Sequence, residues 1–421
     1  MRLLIVSSRY PPGGVWRYTY NLVHSLVKNG VDTYVAVNGH ETEQNRILKS
    51  DTVVKDSIQD DFCNKWRSIK HGFGDDRYSI YTNIIKKGDK KNSERLLQLV
   101  KDLKPDVVHV QHERGLYEID TSLKHIFRTM LYGSTLREFF KKCPVPTVST
   151  LHSVFPYNES WSYRKERTLR KEDRLSFLPL PLRTRITRWV MEKKRYDLLH
   201  EVIGNSAELI NLSRTNYEIV KRGSVIYHGA EPAISPLCDS DINDFREDFG
   251  LPTDRKLILA FGYAGDYKGF DLLNNITLPS GWSFVVKQNK HERGGKLPIQ
   301  LKNGISLHLG YLDEVSLSKL FFACDAIIFP YKVISISGVL FDAIAHYLPF
   351  VASDLNFFRE FSDMNLGITC NRDALSFSES IQNLSYDYER YRKNVLRFAP
   401  RLRWQNIANS HTALYNKLIS A

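Results

Sequence analysis

The chain has 421 residues, of which 42% are hydrophobic, 12% aromatic and 25% charged, which excludes a largely disordered polypeptide and exceeds what one hydrophobic core usually supports. A formal charge of +12 points to an anionic partner, be it nucleotide phosphate, lipid headgroup or nucleic acid. Cys63, Cys143, Cys238, Cys324 and Cys370 have no CxxC or Cys/His ligand spacing, which argues against a disulfide framework or structural zinc and for a cytoplasmic setting.

The opening MRLLIVSSRYPPGG has too short an apolar run for a secretory segment, and no stretch approaches the ~20 apolar residues of a spanning helix. RLLIVSS predicts a buried strand, YTYNLVHSLVKNG a helix ending at Gly30, and DTYVAVN a second strand. LLQLVKDLKP predicts a helix stopped by Pro105, and the strands DVVHVQ and PTVSTLH follow. EVIGNS is expected as a strand before a helix from about Ala207, and SVIYHG closes this half.

The pattern then restarts. RKLILAFGY, WSFVVKQ, GISLHLGY, DAIIFPY and PFVASD predict strands; GFDLLNNI, LSKLFFAC and SGVLFDAIAHY predict helices. Alternation of helices with continuously apolar strands predicts an α/β fold with parallel sheets covered on both faces. Two Rossmann-like domains are expected, over 1–232 and 242–395, separated by the polar stretch EPAISPLCDSD at 231–241. The tail, 396–421, predicts an amphipathic helix packing back across the junction.

The first strand–helix turn, SSRYPPGGVWRY, lacks the G-x-G-x-x-G spacing, and the second strand ends at Asn38 rather than at an acid. A nicotinamide cofactor therefore fits this half poorly. In the second half, Ser337-Gly338 opens a helix that carries Asp342. Free amides at a helix start attract anions, Gly338 admits a phosphate close to the main chain, and Asp342 is placed to meet ribose hydroxyls. Ordinary capping by Ser337 with a solvated Asp342 would account for that segment alone. His152 follows the apolar strand PTVST, and Gln111, His112 and Glu113 follow VVHV, so both groups fall at carboxyl edges where α/β ligands bind.

Taken in order, FGYAGDYKGFDLL, STLHS, VIYHGAEP and the run from Ala323 to Asp354 resemble the retaining GT-B glycosyltransferases of family 4. The resemblance implies two Rossmann-like domains facing a central cleft, with the nucleotide on the C-terminal side. In the family's Glu-x7-Glu pattern the second position falls at Asp342, which implies a ribose contact. The first falls at Ile334, which can do no acid or base work. By the same resemblance Ser337, Gly338, Val339 and Leu340 carry the diphosphate by main chain. Lys268 offsets the charge on the leaving group, and His152 reaches the donor sugar. The arginine common before that lysine is absent, with Lys287 and Arg293 as candidate substitutes.

Gly13 and Gly14 are expected near the donor phosphates or acceptor. Gly310, Tyr311 and Leu312 should contact the base by backbone. Gln111, His112, Glu113 and His228 are expected on the acceptor side or as hinge residues. The implied donor is a UDP- or GDP-linked sugar, with no cofactor and no metal; Asp-x-Asp occurs only as Asp239-Ser240-Asp241 in the expected linker. The implied acceptor is a glycan or lipid-linked sugar. Retention is expected, with the diphosphate itself accepting the acceptor's proton.

Residues 163–195 interleave Lys and Arg with Leu, Phe, Ile and Trp. They suggest either a solvated helical face or a segment lying on anionic membrane, which would place the protein at the inner face of the cell membrane. Rival readings are a basic membrane- or nucleic-acid-binding protein without transferase activity, and a hydrolase or epimerase on the same fold. Nucleic acid is the poorer partner, because no known binding module is present.

Overall fold

The computed structural model describes residues 1–8, 13–38, 68–70, 78–82, 84–86, 89, 91–113, 135–154, 179–182, 184–186, 188–189, 202–263, 265–289, 301, 304–307 and 312–421. The chain forms two compact units. Of the described residues, the first holds those of Met1–Val154, Arg164–Tyr227 and Trp404–Ala421; the second holds those of His228–Arg403.

The first unit is built on eight strands: β1 (Arg2–Val6), β2 (Asp32–Ala36), β3 (Ser68–Lys70), β4 (Tyr78–Tyr81), β5 (Val107–His112), β6 (Thr147–Leu151), β7 (Glu208–Asn211) and β8 (Ser224–Val225). Their order is β3-β4-β2-β1-β5-β6-β7-β8. All pairs are parallel except the edge pair β3–β4, which is antiparallel. β1 and β6 are buried along nearly their whole length, as expected of strands covered on both faces. Helix α1 (Gly14–Lys28) buries Val15, Tyr18, Leu22 and Leu26, one stripe at helical spacing. Helix α2 (Asn92–Leu103) ends where Lys104 turns left-handed (φ 49°) ahead of Pro105, which disfavours further helix. Helices α3 (Arg137–Lys142) and α4 (Arg214–Val220) follow, and residues 180–182, 184–186 and 188–189 between them are also helical.

The strand expected at EVIGNS lies two residues further on, as ELIN. Gly204-Asn205 forms a turn instead, and Ser206 Oγ donates back to the Val202 carbonyl. The following helix starts at Arg214 rather than Ala207, capped by Ser213, whose hydroxyl accepts from the Asn216 amide.

The second unit opens with helix α5 (Asp239–Asp248), so Asp239 and Asp241 occupy a helical first turn rather than linker. Six parallel strands follow: β9 (Lys256–Tyr263), β10 (Trp282–Asn289), β11 (Ile305–Leu307), β12 (Ala326–Phe329), β13 (Phe350–Ser353) and β14 (Gly367–Cys370), in the order β11-β10-β9-β12-β13-β14. Helices α6 (Glu314–Phe322), α7 (Gly338–Ala345), α8 (Asn356–Ser362), α9 (Ala374–Tyr386) and α10 (Tyr388–Phe398) belong to this unit. The last helix, α11 (Trp404–Ile419), belongs to the first unit and packs on α1. Trp404, Ile407, Ala408, His411 and Tyr415 form its buried stripe. Among the described residues no helix is long and apolar enough to cross a membrane.

Strand order reverses between β1 and β5 in the first unit and between β9 and β12 in the second. In doubly wound sheets, ligands bind beyond the carboxyl ends of the strands at such reversals.

Candidate functional site

In the second unit, the loops leaving β9 and β12 meet at that reversal. Asp266–Lys268 and Phe270–Asn275 are short 3-10 turns hinged at Gly269 (φ 65°). A Cβ at Gly269 would lie 1.9 Å from the Pro330 carbonyl oxygen, so only glycine lets the two loops touch. Arg372 pins the contact. Its Nε donates to the Pro330 carbonyl (2.9 Å) and it pairs with Asp271 (3.4 Å). Lys332 pairs with Asp266 at 3.1 Å, and its amide donates to the Tyr267 carbonyl.

Lys268 lies inside this junction, 6% exposed. Its ammonium donates to the Tyr331 hydroxyl and sits 4.0 Å from the centre of that ring. Among the described residues it has no carboxylate partner, because the nearby Asp266 and Asp271 are paired with Lys332 and Arg372. Burial without a counter-ion lowers the amine from its ordinary 10.5 to about 7. Tyr331 is fully buried against Phe329 and Phe358, and burial holds its hydroxyl protonated. The Ser337 side chain opposes that effect. Tyr331 therefore stands between the lysine of one loop, which it bonds, and the helix start of the other, whose Ser337 acts on its hydroxyl. Sequence reasoning missed Tyr331 and Arg372; the tyrosine stands just past the end of β12, after Pro330, where it reads as core.

Ser337 caps α7. Its hydroxyl and its carbonyl accept from the Leu340 amide at 3.3 and 3.1 Å. In this structure the Leu340 amide thus serves the cap rather than pointing outward as expected, and Gly338 and Val339, both half-buried, carry the outward amides of the helix start. Asp342 is buried at 8% exposure, not solvated. Its carbonyl accepts from His346 Nδ1 at 2.7 Å, and His346 Nε2 meets Ser318 Oγ at 3.0 Å. Ile334 is buried, which accounts for an apolar residue at that position.

His228 belongs to this unit rather than to the acceptor-side group. It stacks on Phe341 (5.5 Å, 13°), and its Nε2 would lie 3.8 Å from a Cβ at Gly338. The structure thus joins Lys268, Ser337, Gly338 and His228 around one helix start. Lys287 is buried on β10, and burial lowers its amine. Leu312 is half-buried ahead of α6, whereas Gly310, Tyr311 and Arg293 lie outside the described residues.

In the first unit, Gly13 is the extended residue that opens α1, and a Cβ at Gly14 would meet nothing within 4 Å. Both follow β1 at the reversal, and Gln111 and His112 end β5 on its other side. The His152 amide donates to the His112 carbonyl at 2.9 Å, so the ends of β5 and β6 run together. His152 Nε2 contacts Gln111 Oε1 at 2.8 Å, and the Tyr18 ring meets the imidazole edge-on at 4.9 Å. Burial raises the Glu113 carboxyl, a hydrogen bond from Ser153 opposing it. Among the described residues no three His, Cys, Asp or Glu side chains converge as metal ligands.

The sequence profile of Glycosyltransferase Family 4 matches residues 12–233, more than half of the chain. No curated protein matches it by sequence. Solved structures match along the full length. Sucrose-phosphate synthase from Thermosynechococcus elongatus is 15% identical, with 100% of this chain and 99% of that one covered and a TM-score of 0.62. Anabaena HepE, solved with UDP, is 12% identical, with 99% and 100% covered and a TM-score of 0.62. WaaG, a glycosyltransferase involved in lipopolysaccharide biosynthesis, is 13% identical, with 99% of each chain covered and a TM-score of 0.58. At these identities the likeness is one of fold, the GT-B class of two α/β units.

Proposed function

The chain belongs to Glycosyltransferase Family 4, and on that premise we propose that it moves a hexosyl group from a nucleoside-diphosphate sugar to a glycan or lipid-linked acceptor with retention of configuration. Its place would be in polysaccharide or glycoconjugate synthesis. The observation that carries this reading is the buried Lys268 ammonium, which has a tyrosine but no carboxylate as partner among the described residues, that tyrosine in turn being influenced by Ser337 at the start of α7. A buried cation beside outward helix amides calls for an anion from outside, and a diphosphate supplies the charge.

In this reading Lys268 and the Gly338 and Val339 amides hold the diphosphate and stabilise it as it leaves, Asp342 meets the ribose, and His152 meets the transferred sugar. No divalent cation is required for such charge neutralisation. HepE has been solved with UDP and with UDP-glucose, which favours UDP over GDP as the first nucleotide to try. Leu180, Leu182 and Trp189 are exposed beside Arg185 and Arg188, which supports membrane adhesion by residues 163–195; residues 163–178, Arg164 to Arg174 included, lie outside the described residues.

The test is titration with UDP, GDP and ADP, followed by incubation with the matching sugar nucleotides and detection of slow donor hydrolysis. Binding of one nucleoside diphosphate that is lost in Lys268→Met supports the site. Equal binding by parent and variant, or none by the parent, refutes it.

A further inference from the structure

Behind His152 lies a buried polar chain that the donor site does not require. His109, Gln111, Thr150, His411 and Tyr415 are all fully buried. His109 Nδ1 meets the Tyr415 hydroxyl of α11 at 2.6 Å, and His109 Nε2 meets Thr150 Oγ1 at 2.7 Å and the Gln111 amide nitrogen at 3.2 Å. Alongside, His411 Nδ1 donates to the Ile407 carbonyl (2.8 Å), leaving its Nε2 to accept from Tyr18 (3.3 Å).

Burial, with His411 and His152 nearby, holds His109 neutral, so one of its ring nitrogens must accept. With the Gln111 amide nitrogen towards His109 Nε2, that nitrogen is the acceptor and Nδ1–H faces Tyr415. The Gln111 carbonyl oxygen then faces His152 Nε2 and can only accept, so the His152 proton must be on Nε2.

We propose that Gln111 is a positioning residue: it fixes His152 in the Nε2–H tautomer, leaving Nδ1 as the basic nitrogen, so that the imidazole meets a sugar hydroxyl as acceptor rather than donor. Tyr415 on the C-terminal helix sets the far end of the chain by fixing His109. This selects a substrate that presents a hydroxyl proton to His152, and it gives α11 a role in the chemistry beyond packing. The proposal rests on the reading that His152 meets the transferred sugar.

The experiment uses the full chain labelled with 15N-histidine, with the His152 ring signals assigned by their loss in His152→Gln. The parent should show His152 with Nε2 protonated and Nδ1 unprotonated. Gln111→Met should convert it to a tautomer mixture and lower kcat/KM about tenfold, near the worth of one good hydrogen bond. Gln111→Glu keeps an acceptor oxygen in place and should restore the Nε2–H signature. Should Gln111→Met fail to fold, Tyr415→Phe, which removes only the hydroxyl opposite His109, should loosen the tautomer in the same direction. A His152 proton on Nδ1 in the parent, or an unchanged His152 spectrum in both Gln111→Met and Tyr415→Phe, overturns the proposal. An intact Nε2–H signature in the parent, together with full turnover in His152→Ala, refutes the sugar contact and leaves the lock standing, so the two failures are distinguishable.

Discussion

Replacing Lys268 with methionine should stabilise the protein and disable it. The amine falls from 10.5 in the unfolded chain to about 7 in the folded one. Every tenfold loss of proton affinity corresponds to about 1.4 kcal/mol, so holding this ammonium in place at pH 7 costs on the order of 4 kcal/mol. Methionine has a similar reach and no charge to desolvate. It leaves the buried Tyr331 hydroxyl with one partner fewer, which returns about 1–3 kcal/mol of that gain. The net expectation at pH 7 is a stability rise of about 2 kcal/mol, measured by urea unfolding at constant m-value.

The sign with pH follows from proton binding. Between pH 7 and 10.5 the unfolded chain holds the proton at this site and the folded chain has released it, so the parent's stability rises with pH: the lysine's cost is full below pH 7 and fades as pH climbs to 10.5. Methionine should remove that rise, and the curves of parent and variant should converge towards alkaline pH. Turnover should meanwhile fall on the order of 10²-fold, because a charge contact that strengthens on the way to the transition state is gone. A variant that is less stable than the parent at pH 7 and equally active would refute the reasoning at both ends.

Gly269→Ala should destabilise the second unit by more than about 2 kcal/mol and weaken nucleotide binding in parallel, since the added carbon meets the Pro330 carbonyl oxygen at 1.9 Å at a positive φ; calorimetry and nucleotide titration read both. Activity should survive EDTA, and an absolute need for manganese or magnesium would count against a lysine and a helix start as the diphosphate's neutralising groups. Replacing Arg164, Lys165, Arg170 and Lys171 with Gln should release the protein from anionic liposomes while nucleotide binding persists, each basic group near such a surface being worth about 1 kcal/mol. Equal flotation of parent and variant, or of neither, would dismiss the membrane reading.

The strands were legible because both faces of each sheet are covered, so β1, β12 and β13 are written as nearly continuous apolar runs. EVIGNS misled because its apolar pair precedes a Gly-Asn turn, and turn chemistry outweighs two apolar residues. The antiparallel edge pair β3–β4 went unseen for a different reason. Its strands are three and four residues long and carry no run that periodicity could detect.

The site divides along the same physical line. Ser337 was legible from the residues because Gly338 after it opens α7, whereas Lys268 was singled out by resemblance and the structure adds that it stands beside Gly269, where the loops touch. Tyr331 was not legible, because its meaning depends on a partner 63 positions away, and a buried tyrosine at a strand end reads as core. The same holds for Gln111, whose neighbours His109, Thr150 and Tyr415 come from three elements. Sequence spacing exposes what the backbone needs locally, whereas the hydrogen-bond partners of a buried polar group are set by which strands and helices lie side by side. Lys268 shows the consequence. Its chemistry follows from what surrounds it, two neighbouring acids already paired elsewhere and a tyrosine in place of a carboxylate, and that arrangement turns an ordinary turn lysine into a buried amine whose pKa falls to about 7.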